Sequence, residues 1–333
     1  DNMYVIEQEY SVIKEEKKNL KNKRLPIIKA SDGSKYISIY YLANELVEEN
    51  KGAINQWLIE EKLREHQKFS YLSSLELNLF MLMLKIALLK FIARVSENIL
   101  HSQLQKLVVE EILKNENIEF FNQDKKNFSK FTTIKDFREY MVDEEKIKNS
   151  NTAFIEYMAF RLKEYGKNGD KFLKHLKNEA EKSGFTVDSA IVKEHMEIAK
   201  TTDYIGKAII SYKQIQGINF REIFERVNKA DETLKEDYTH EFEKCDYKTK
   251  NRYRGYIIKL AKRYNLSEIY VAKKAVECSK KYKKHVGYFL IGEEKWKLKK
   301  ELGKAYIGDK IYLDIIKPMK TFLYIFTILV LAV

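Results

Sequence analysis

Long stretches of the chain place apolar residues at every third or fourth position, a spacing that buries one face of an α-helix. The clearest example starts at Asp188 and stops at Gly217, and Leu75–Leu100 is a nearly continuous apolar stretch. The 333 residues include only two prolines and twelve glycines, so few helices are interrupted from within. The pattern therefore predicts an all-α fold, a multi-helix region that runs into a truncated transmembrane helix.

Weaker versions of the same pattern predict further helices, and two segments break it. Pro26 and an Asp-Gly pair predict a loop over Arg24–Ile39, and the apolar run His285–Gly292 resembles a short strand. Ser267 is placed to cap a helix that follows it. The further predicted helices cover Asp1–Asn22, Tyr40–Asn50, Ala53–His66, Thr152–Tyr165, Gly169–Ser183, a segment from Ile218, and two segments after Cys245.

Composition divides the chain into five consecutive regions. The segment 115–151 is rich in Asn, Lys and Asp, which is typical of a linker or a loosely packed insert. On this basis we predict an N-terminal helical subdomain (1–114), this linker or insert (115–151), a second helical subdomain (152–305), a basic juxtamembrane segment (306–320) and the start of a transmembrane helix (321–333).

Leu75–Leu100 is apolar enough to raise the question of a membrane span. Lys85 and Lys90 lie inside it, and each charge at the centre of a bilayer costs about 2.5–3.5 kcal/mol. We therefore interpret this segment as a buried core helix, with Met81 and Met83 as packing residues.

The last thirteen residues, Thr321–Val333, contain no charged residue, no Pro and no Gly. As a helix they would rise about 20 Å, whereas the hydrocarbon core of a bilayer is about 30 Å thick. The run could form a buried terminal helix or the first half of a membrane span. We favour the span and expect it to continue beyond Val333, because the apolar side chains cover every side of the helix.

The formal net charge of +12 is concentrated just before this apolar run. Between Lys273 and Lys320 the sequence has fourteen lysines and six acidic residues. Lysines beside a span stay on the cytoplasmic side and attract anionic lipid, whereas the segment lacks the arginine and aromatic arrangement of a nucleic-acid module. The predicted membrane-proximal basic residues are Lys295, Lys297, Lys299, Lys300, Lys304, Lys310, Lys317 and Lys320.

Sequence motifs of common enzyme classes are absent. The chain has no GxGxxG, P-loop, GxSxG or HExxH motif, and no Asp-x-Asp to hold a divalent ion on a sugar nucleotide. The six histidines are far apart, and Cys245 and Cys278 lack metal-site spacing. We therefore predict no catalytic residue, no cofactor-binding residue and no metal ligand in this chain.

One short motif, RYRGY, places Arg252, Tyr253, Arg254 and Tyr256 within about one helical turn. These side chains could contact a phosphate or a sugar. The alternative is an ordinary helix with a solvated face and tyrosine rings that pack inward.

Several long segments resemble one family. Glu194–Asp237, Cys245–Glu277 and His285–Gly303 are similar to the region that precedes the first membrane span of cyclic β-1,2-glucan synthases. The segments DNMYVIEQEYSVIKE, RLPII and SLELNLFMLMLKIALLKFIA near the start are similar as well. The resemblance covers nearly the whole chain and is strongest over Val187–Gly303.

The resemblance implies a part of a very large bacterial inner-membrane enzyme. In that family a cytoplasmic helical region leads into membrane spans around a transferase domain that uses UDP-glucose, with a divalent metal as a possible cofactor. A cyclisation region and a phosphorylase-like domain follow. On this map residues 1–320 are cytoplasmic, and the expected partners are the inner membrane and the downstream domains. The chain lacks every catalytic module, so the resemblance assigns no catalytic residue.

A second hypothesis comes from another class of protein. The chain could be a self-contained basic helical module that binds nucleic acid or a partner protein. Such a module would stay in the soluble fraction and would lose nothing on deletion of Thr321–Val333.

Overall fold

The computed structural model describes residues 25–29, 33–115, 151–182, 184–304, 311, 315 and 317–331. The helix predicted over Asp1–Asn22 and nearly all of the predicted linker lie outside these residues. The described chain is predominantly helical, as the sequence pattern predicts. Its elements are β1 (Ile27–Lys29), β2 (Lys35–Ile37), α1 (Ser38–Glu49), α2 (Gln56–Phe69), α3 (Ser74–Asn115), α4 (Asn151–Glu164), α5 (Gly166–Lys182), α6 (Val187–Gln216), α7 (Phe220–Val227), α8 (Lys229–Leu234), α9 (Tyr247–Tyr264), α10 (Glu268–Tyr282), α11 (Gly287–Leu290), α12 (Lys295–Glu301) and α13 (Lys317–Leu331).

The segment predicted as a loop contains a small antiparallel hairpin instead. Ile27 pairs with Ile37, and Lys29 pairs with Lys35. Pro26 precedes the first strand, where its missing N–H removes no bond from the ladder. The proline therefore marks the start of a strand and not a longer irregular loop.

The strand-like prediction for His285–Gly292 is wrong. This segment forms α11, and Val286, Phe289 and Leu290 are fully buried. These three residues have the i, i+3, i+4 spacing of one helical face. A short apolar run fits either secondary structure, and burial against neighbouring helices decides between them.

The first of two compact units contains the described residues of Asn44–Ile54 and Lys85–Gln216. Its core joins α4, α5 and α6 to the end of α3 through Val109, Phe154, Ile155 and Leu176. Thr186 and Ser189 exchange side-chain bonds to each other's backbone N–H at 3.1 Å, a reciprocal cap that fixes the start of α6.

The second unit contains the described residues of Glu15–Ala43, Asn55–Leu84 and Gly217–Val333. Its core joins α8, α9, α10, α11 and α12, with Leu234, Val271, Phe289 and Leu298 fully buried. The two units interleave along the sequence, whereas the composition-based subdomains are consecutive. The consecutive boundaries stay a prediction.

The apolar helix α3 packs in the core. This agrees with the prediction made from its internal lysines, which disfavour a membrane span. Leu77, Phe80, Leu84 and Leu88 are fully buried and recur every three or four residues. Met83 is buried too, consistent with a packing role.

The tail helix α13 is fifteen residues long. Among the residues that the structure describes, no helix is both long and apolar enough to cross a membrane. Residues 321–331 of the predicted half-span belong to α13, and its continuation into a span stays a prediction.

Two glycines of the first unit give opposite predictions for an added methyl group. Gly52 has φ +82°, and a Cβ there would lie 2.8 Å from the Cβ of Ala208 and 3.0 Å from the Phe91 ring. Gly206 lies inside α6 with open space around it. We expect G52A to lower the free energy of unfolding by about 1–3 kcal/mol.

The matched variant G206A should raise the free energy of unfolding by about 0.4–1 kcal/mol, because alanine restricts the unfolded chain and favours the helix. Urea unfolding of both variants tests the pair. If both variants changed the free energy of unfolding by the same amount in the same direction, the close packing around Gly52 would be contradicted.

Candidate functional site

Arg254 of α9 and Asp231 of α8 form a buried ion pair in the second unit. Arg254 Nε lies 3.0 Å from each carboxylate oxygen of Asp231, and Nη2 donates to the same carboxylate. The two side chains are only 5% and 3% exposed. Arg254 Nη1 donates to Asn251 at 2.8 Å. The guanidinium therefore has internal partners on both of its edges.

Aromatic and acidic groups complete the surroundings of this pair. The guanidinium carbon of Arg254 lies 5.0 Å from the Phe224 ring centre and 5.4 Å from that of Tyr247. Glu225 is 3.7 Å from Nη2. Burial raises the pKa of Asp231, and the contact with Arg254 opposes that rise. Loss of the arginine would therefore leave a buried carboxyl group without its main partner.

A second buried network connects three segments of the same unit. Asp237 Oδ2 lies 2.8 Å from His285 Nδ1 and 2.7 Å from Thr239 Oγ1, and accepts from the Val286 N–H at 3.4 Å. His285 Nε2 is 3.1 Å from the Tyr253 hydroxyl. Burial alone would raise the pKa of Asp237, but the bonds from Thr239, His285 and Val286 outweigh it and lower the pKa.

The Asp–His–Tyr order resembles a proton relay, but the tyrosine at its end and the two cysteines of the same unit are poor nucleophiles. Burial raises the pKa of Tyr253 to about 12 and that of Cys278 to about 12, and it raises the pKa of the Cys245 thiol as well. A nucleophile of this kind acts through its ionised form or through an exposed hydroxyl. The bonds of Asp237, His285 and Tyr253 link three segments of the second unit.

A cleft of about 290 Å³ lies beside the buried ion pair. Lys235 and Glu243 form an ion pair at 3.2 Å, and Lys250 Nζ is 3.9 Å from Glu225. The cleft thus holds charges of both signs that already face one another. Within the described ranges, no three His, Cys, Asp or Glu side chains gather as a metal site.

The predicted contact face at RYRGY is split by the fold. Arg252 is exposed and Tyr256 is half-buried, whereas Tyr253 and Arg254 point into the core. The structure therefore does not bring the four together on one exposed surface. The sequence analysis treated the histidines as isolated. It also missed Asp231, because no local sequence pattern marks the pairing of Asp231 with Arg254, which are 23 residues apart.

The predicted basic residues lie on and after α12. Lys300 and Lys320 are exposed, and Lys295, Lys297, Lys299 and Lys304 are half-buried. Lys310 and the side chain of Lys317 lie outside the description. Glutamates partner several lysines of α10–α12: Lys281 with Glu301 at 2.6 Å, Lys284 with Glu294 at 2.6 Å, and Lys297 with Glu294 at 3.0 Å.

The helix α13 exposes apolar side chains in several directions. Phe322 is 70% exposed, Leu323 62%, Tyr324 67% and Ile328 49%. Successive helical positions are separated by about 100°, so these residues lie on different sides of the helix. A helix that is apolar on all sides is typical of burial in protein or lipid.

These features define a class: a basic, helical protein region whose buried polar groups join helices and whose last described helix is apolar and exposed. No family model matches the sequence. Over 177 residues the chain is 27% identical to the cyclic beta-(1,2)-glucan synthase NdvB of Rhizobium meliloti (strain 1021). The match covers 50% of this chain and 6% of that protein, so the chain spans a small part of its relative. The similarity supports a relation to cyclic β-glucan synthases.

The buried pair predicts a large difference between two neighbouring arginines. We expect R254M to lower the free energy of unfolding by about 3–5 kcal/mol, because it leaves Asp231 buried without its partner. R252M alters an exposed side chain and should change the free energy of unfolding by less than about 0.5 kcal/mol.

The double variant D231L/R254M should recover much of the loss, because it removes both charges together. Chemical unfolding measures all three variants. Equal stability of R254M and R252M would contradict the buried geometry.

The Asp237 network predicts a dependence of stability on pH. The carboxyl has a lowered pKa in the folded chain, so its contribution is present above the unfolded value of 3.8 and is lost as pH falls through the folded value. We expect D237N to cost about 1–3 kcal/mol near neutral pH, and the difference from the unaltered chain to shrink below about pH 4.

Thermal unfolding between pH 3 and pH 7 tests this, with D203N at an exposed aspartate as the control. A D237N deficit that stays constant over this range would contradict the proposed charge on Asp237.

Proposed function

We propose that the chain is a non-catalytic helical region of a cyclic β-1,2-glucan synthase, and that it positions the glucosyl-transferring domains at the inner membrane. The observation that carries the proposal is the 27% identity over 177 residues to a protein of that name. UDP-glucose, and a divalent metal if one is used, would bind to other parts of the enzyme. The chain itself would contribute a support whose helices are joined by buried polar contacts.

The internal use of the polar groups supports a mechanical role. Asp231, Arg254, Asp237 and His285 have the burial and pairing expected of joints between helices. Gln67 adds another, since its side chain donates to the Val227 carbonyl at 2.8 Å. Such networks favour a fixed geometry, which a support for a catalytic domain requires.

The charge and hydropathy of the last residues support a membrane link. The apolar side chains of α13 would leave water on entering lipid, and each fully buried Leu, Ile or Phe contributes about 1.5–3 kcal/mol. Lys317 and Lys320 stand at the start of this helix, where lysines favour the cytoplasmic side. In this proposal α13 begins a span, and the helical units before it lie on the cytoplasmic side of the bacterial inner membrane.

Cell fractionation tests the membrane link. We expect the full chain in the membrane fraction, resistant to high salt because the attachment is apolar. The triple variant F322S/L323S/I328S should move to the soluble fraction. Its matched control is L100S/L104S/L107S, which removes three comparably exposed apolar residues from α3 and should stay with the membranes.

The same preparations test the non-catalytic role. The purified chain should form no glucan from UDP-glucose, with or without magnesium. Glucan synthesis by this chain alone would contradict the proposal. An intact chain that stays soluble and retains a nucleic acid or a protein would instead favour the basic binding module that its net charge of +12 suggests.

A further inference from the structure

Lysine and tyrosine side chains recur at the end of α9 and over α10, α11 and α12. Between Glu268 and Lys304 the sequence has eleven lysines and five glutamates, with no Asp and no Arg. Tyr270 and Tyr288 are 42% and 52% exposed. We call this the Lys–Tyr surface, defined by Lys273, Lys274, Lys280, Lys281, Lys283, Lys284, Lys297 and Lys304 with Tyr264, Tyr270, Tyr282 and Tyr288.

Several ammonium groups of this surface lie over tyrosine rings, within the range of a cation–π contact. In each pair a lysine stem can cover part of the ring while the ammonium group stays near water. The distances from Nζ to the ring centre are 4.0 Å for Lys297 and Tyr282, 5.5 Å for Lys284 and Tyr288, 5.5 Å for Lys304 and Tyr264, 5.6 Å for Lys281 and Tyr282, and 5.8 Å for Lys274 and Tyr270.

The glutamates neutralise only part of the positive charge. Glu277 pairs with Lys274, Glu301 pairs with Lys281, Glu236 pairs with Lys280 at 3.5 Å, and Glu294 holds two lysines. Lys273 and Lys283 are exposed, and neither has an ion-pair partner in the part of the chain that the structure describes. A net positive charge therefore remains on a surface that also presents exposed tyrosines.

We propose that the Lys–Tyr surface docks on a membrane leaflet that contains anionic lipid. Exposed lysines attract anionic headgroups, and tyrosine rings prefer the depth of the headgroups because one end of the ring is apolar and the other polar. The surface ends at Lys304, and the apolar helix α13 begins thirteen residues later at Lys317. The inference deepens the proposed function and rests on it. It assigns a lipid contact to a folded surface, whereas the sequence alone places the basic juxtamembrane segment at 306–320.

The chemistry of the surface favours lipid over nucleic acid. Bases are commonly read by the planar fork of arginine, and the segment Glu268–Lys304 contains no arginine, although the neighbouring Arg263 lies over the Tyr264 ring at 5.7 Å. Lysine ammonium groups bind phosphates of either source, so the experiment includes both.

The test compares two triple variants of the full chain that lose the same charge. K273Q/K280Q/K283Q alters the Lys–Tyr surface. K163Q/K174Q/K177Q alters exposed lysines of α4 and α5 in the other compact unit. Co-sedimentation is measured at limiting lipid with vesicles of phosphatidylcholine, either pure or mixed with phosphatidylglycerol, and with a labelled DNA duplex.

On the mixed vesicles we expect the surface variant to bind about fivefold more weakly for each lysine removed, or roughly a hundredfold in total. High salt should remove most of the difference, and the control variant should bind like the unaltered chain. On pure phosphatidylcholine all three proteins should bind alike through α13.

Each contrary outcome has a separate meaning. Equal binding of both variants to the mixed vesicles would overturn the inference and leave α13 as the membrane contact. If the unaltered chain did not bind pure phosphatidylcholine, the membrane link of the proposed function would be contradicted. Even then, weaker binding of the surface variant alone to mixed vesicles would support the docking surface. A surface variant that loses DNA binding but keeps vesicle binding would overturn the inference in favour of nucleic acid.

Discussion

The ion pair between Asp231 and Arg254 is the contact on which the second unit depends. It joins α8, which has only six residues, to the eighteen-residue helix α9. A helix as short as α8 is unstable in isolation, so its position must come from tertiary contacts. Leu234 packs in the core on one side, and Asn228 caps the helix by accepting from the N–H groups of Ala230 and Asp231. The ion pair supplies the remaining constraint on this corner.

Further polar contacts extend from the same corner. Asn228 also donates to Ser74 Oγ at 3.3 Å, and Glu268 accepts from the Ser74 N–H at 3.0 Å and from its hydroxyl at 2.6 Å. A carboxylate at the N-terminus of α3 is favoured by the free N–H groups there. The beginnings of α3, α8 and α10 are thus linked through side chains of one another. Buried polar groups of this kind fix geometry, whereas Lys273 and Lys283 are exposed and have no ion-pair partner among the described residues.

Local patterns in the sequence predicted the features that depend on local interactions. The helix expected from Asp188 to Gly217 is α6, Val187–Gln216, and Ser267 caps α10 by accepting from the Tyr270 N–H at 3.1 Å. The buried Arg254 and the Asp237–His285 bond were missed, because each joins residues that are close only after folding. The strand expected at His285–Gly292 failed for the same reason, since core packing selects the helix there. The same contrast holds for the lysines. Their number is visible in the sequence, but the glutamates that neutralise some of them become apparent only in the fold.

The central claim is that this helical region leads into the membrane part of a glucan synthase. The most direct measurement is to sequence the gene beyond the codon for Val333. The account predicts an open frame that completes an apolar span and then encodes a transferase segment with an Asp-x-Asp motif. A stop codon directly after Val333 would contradict it, because α13 would then be a short terminal helix with no span and no transferase to position.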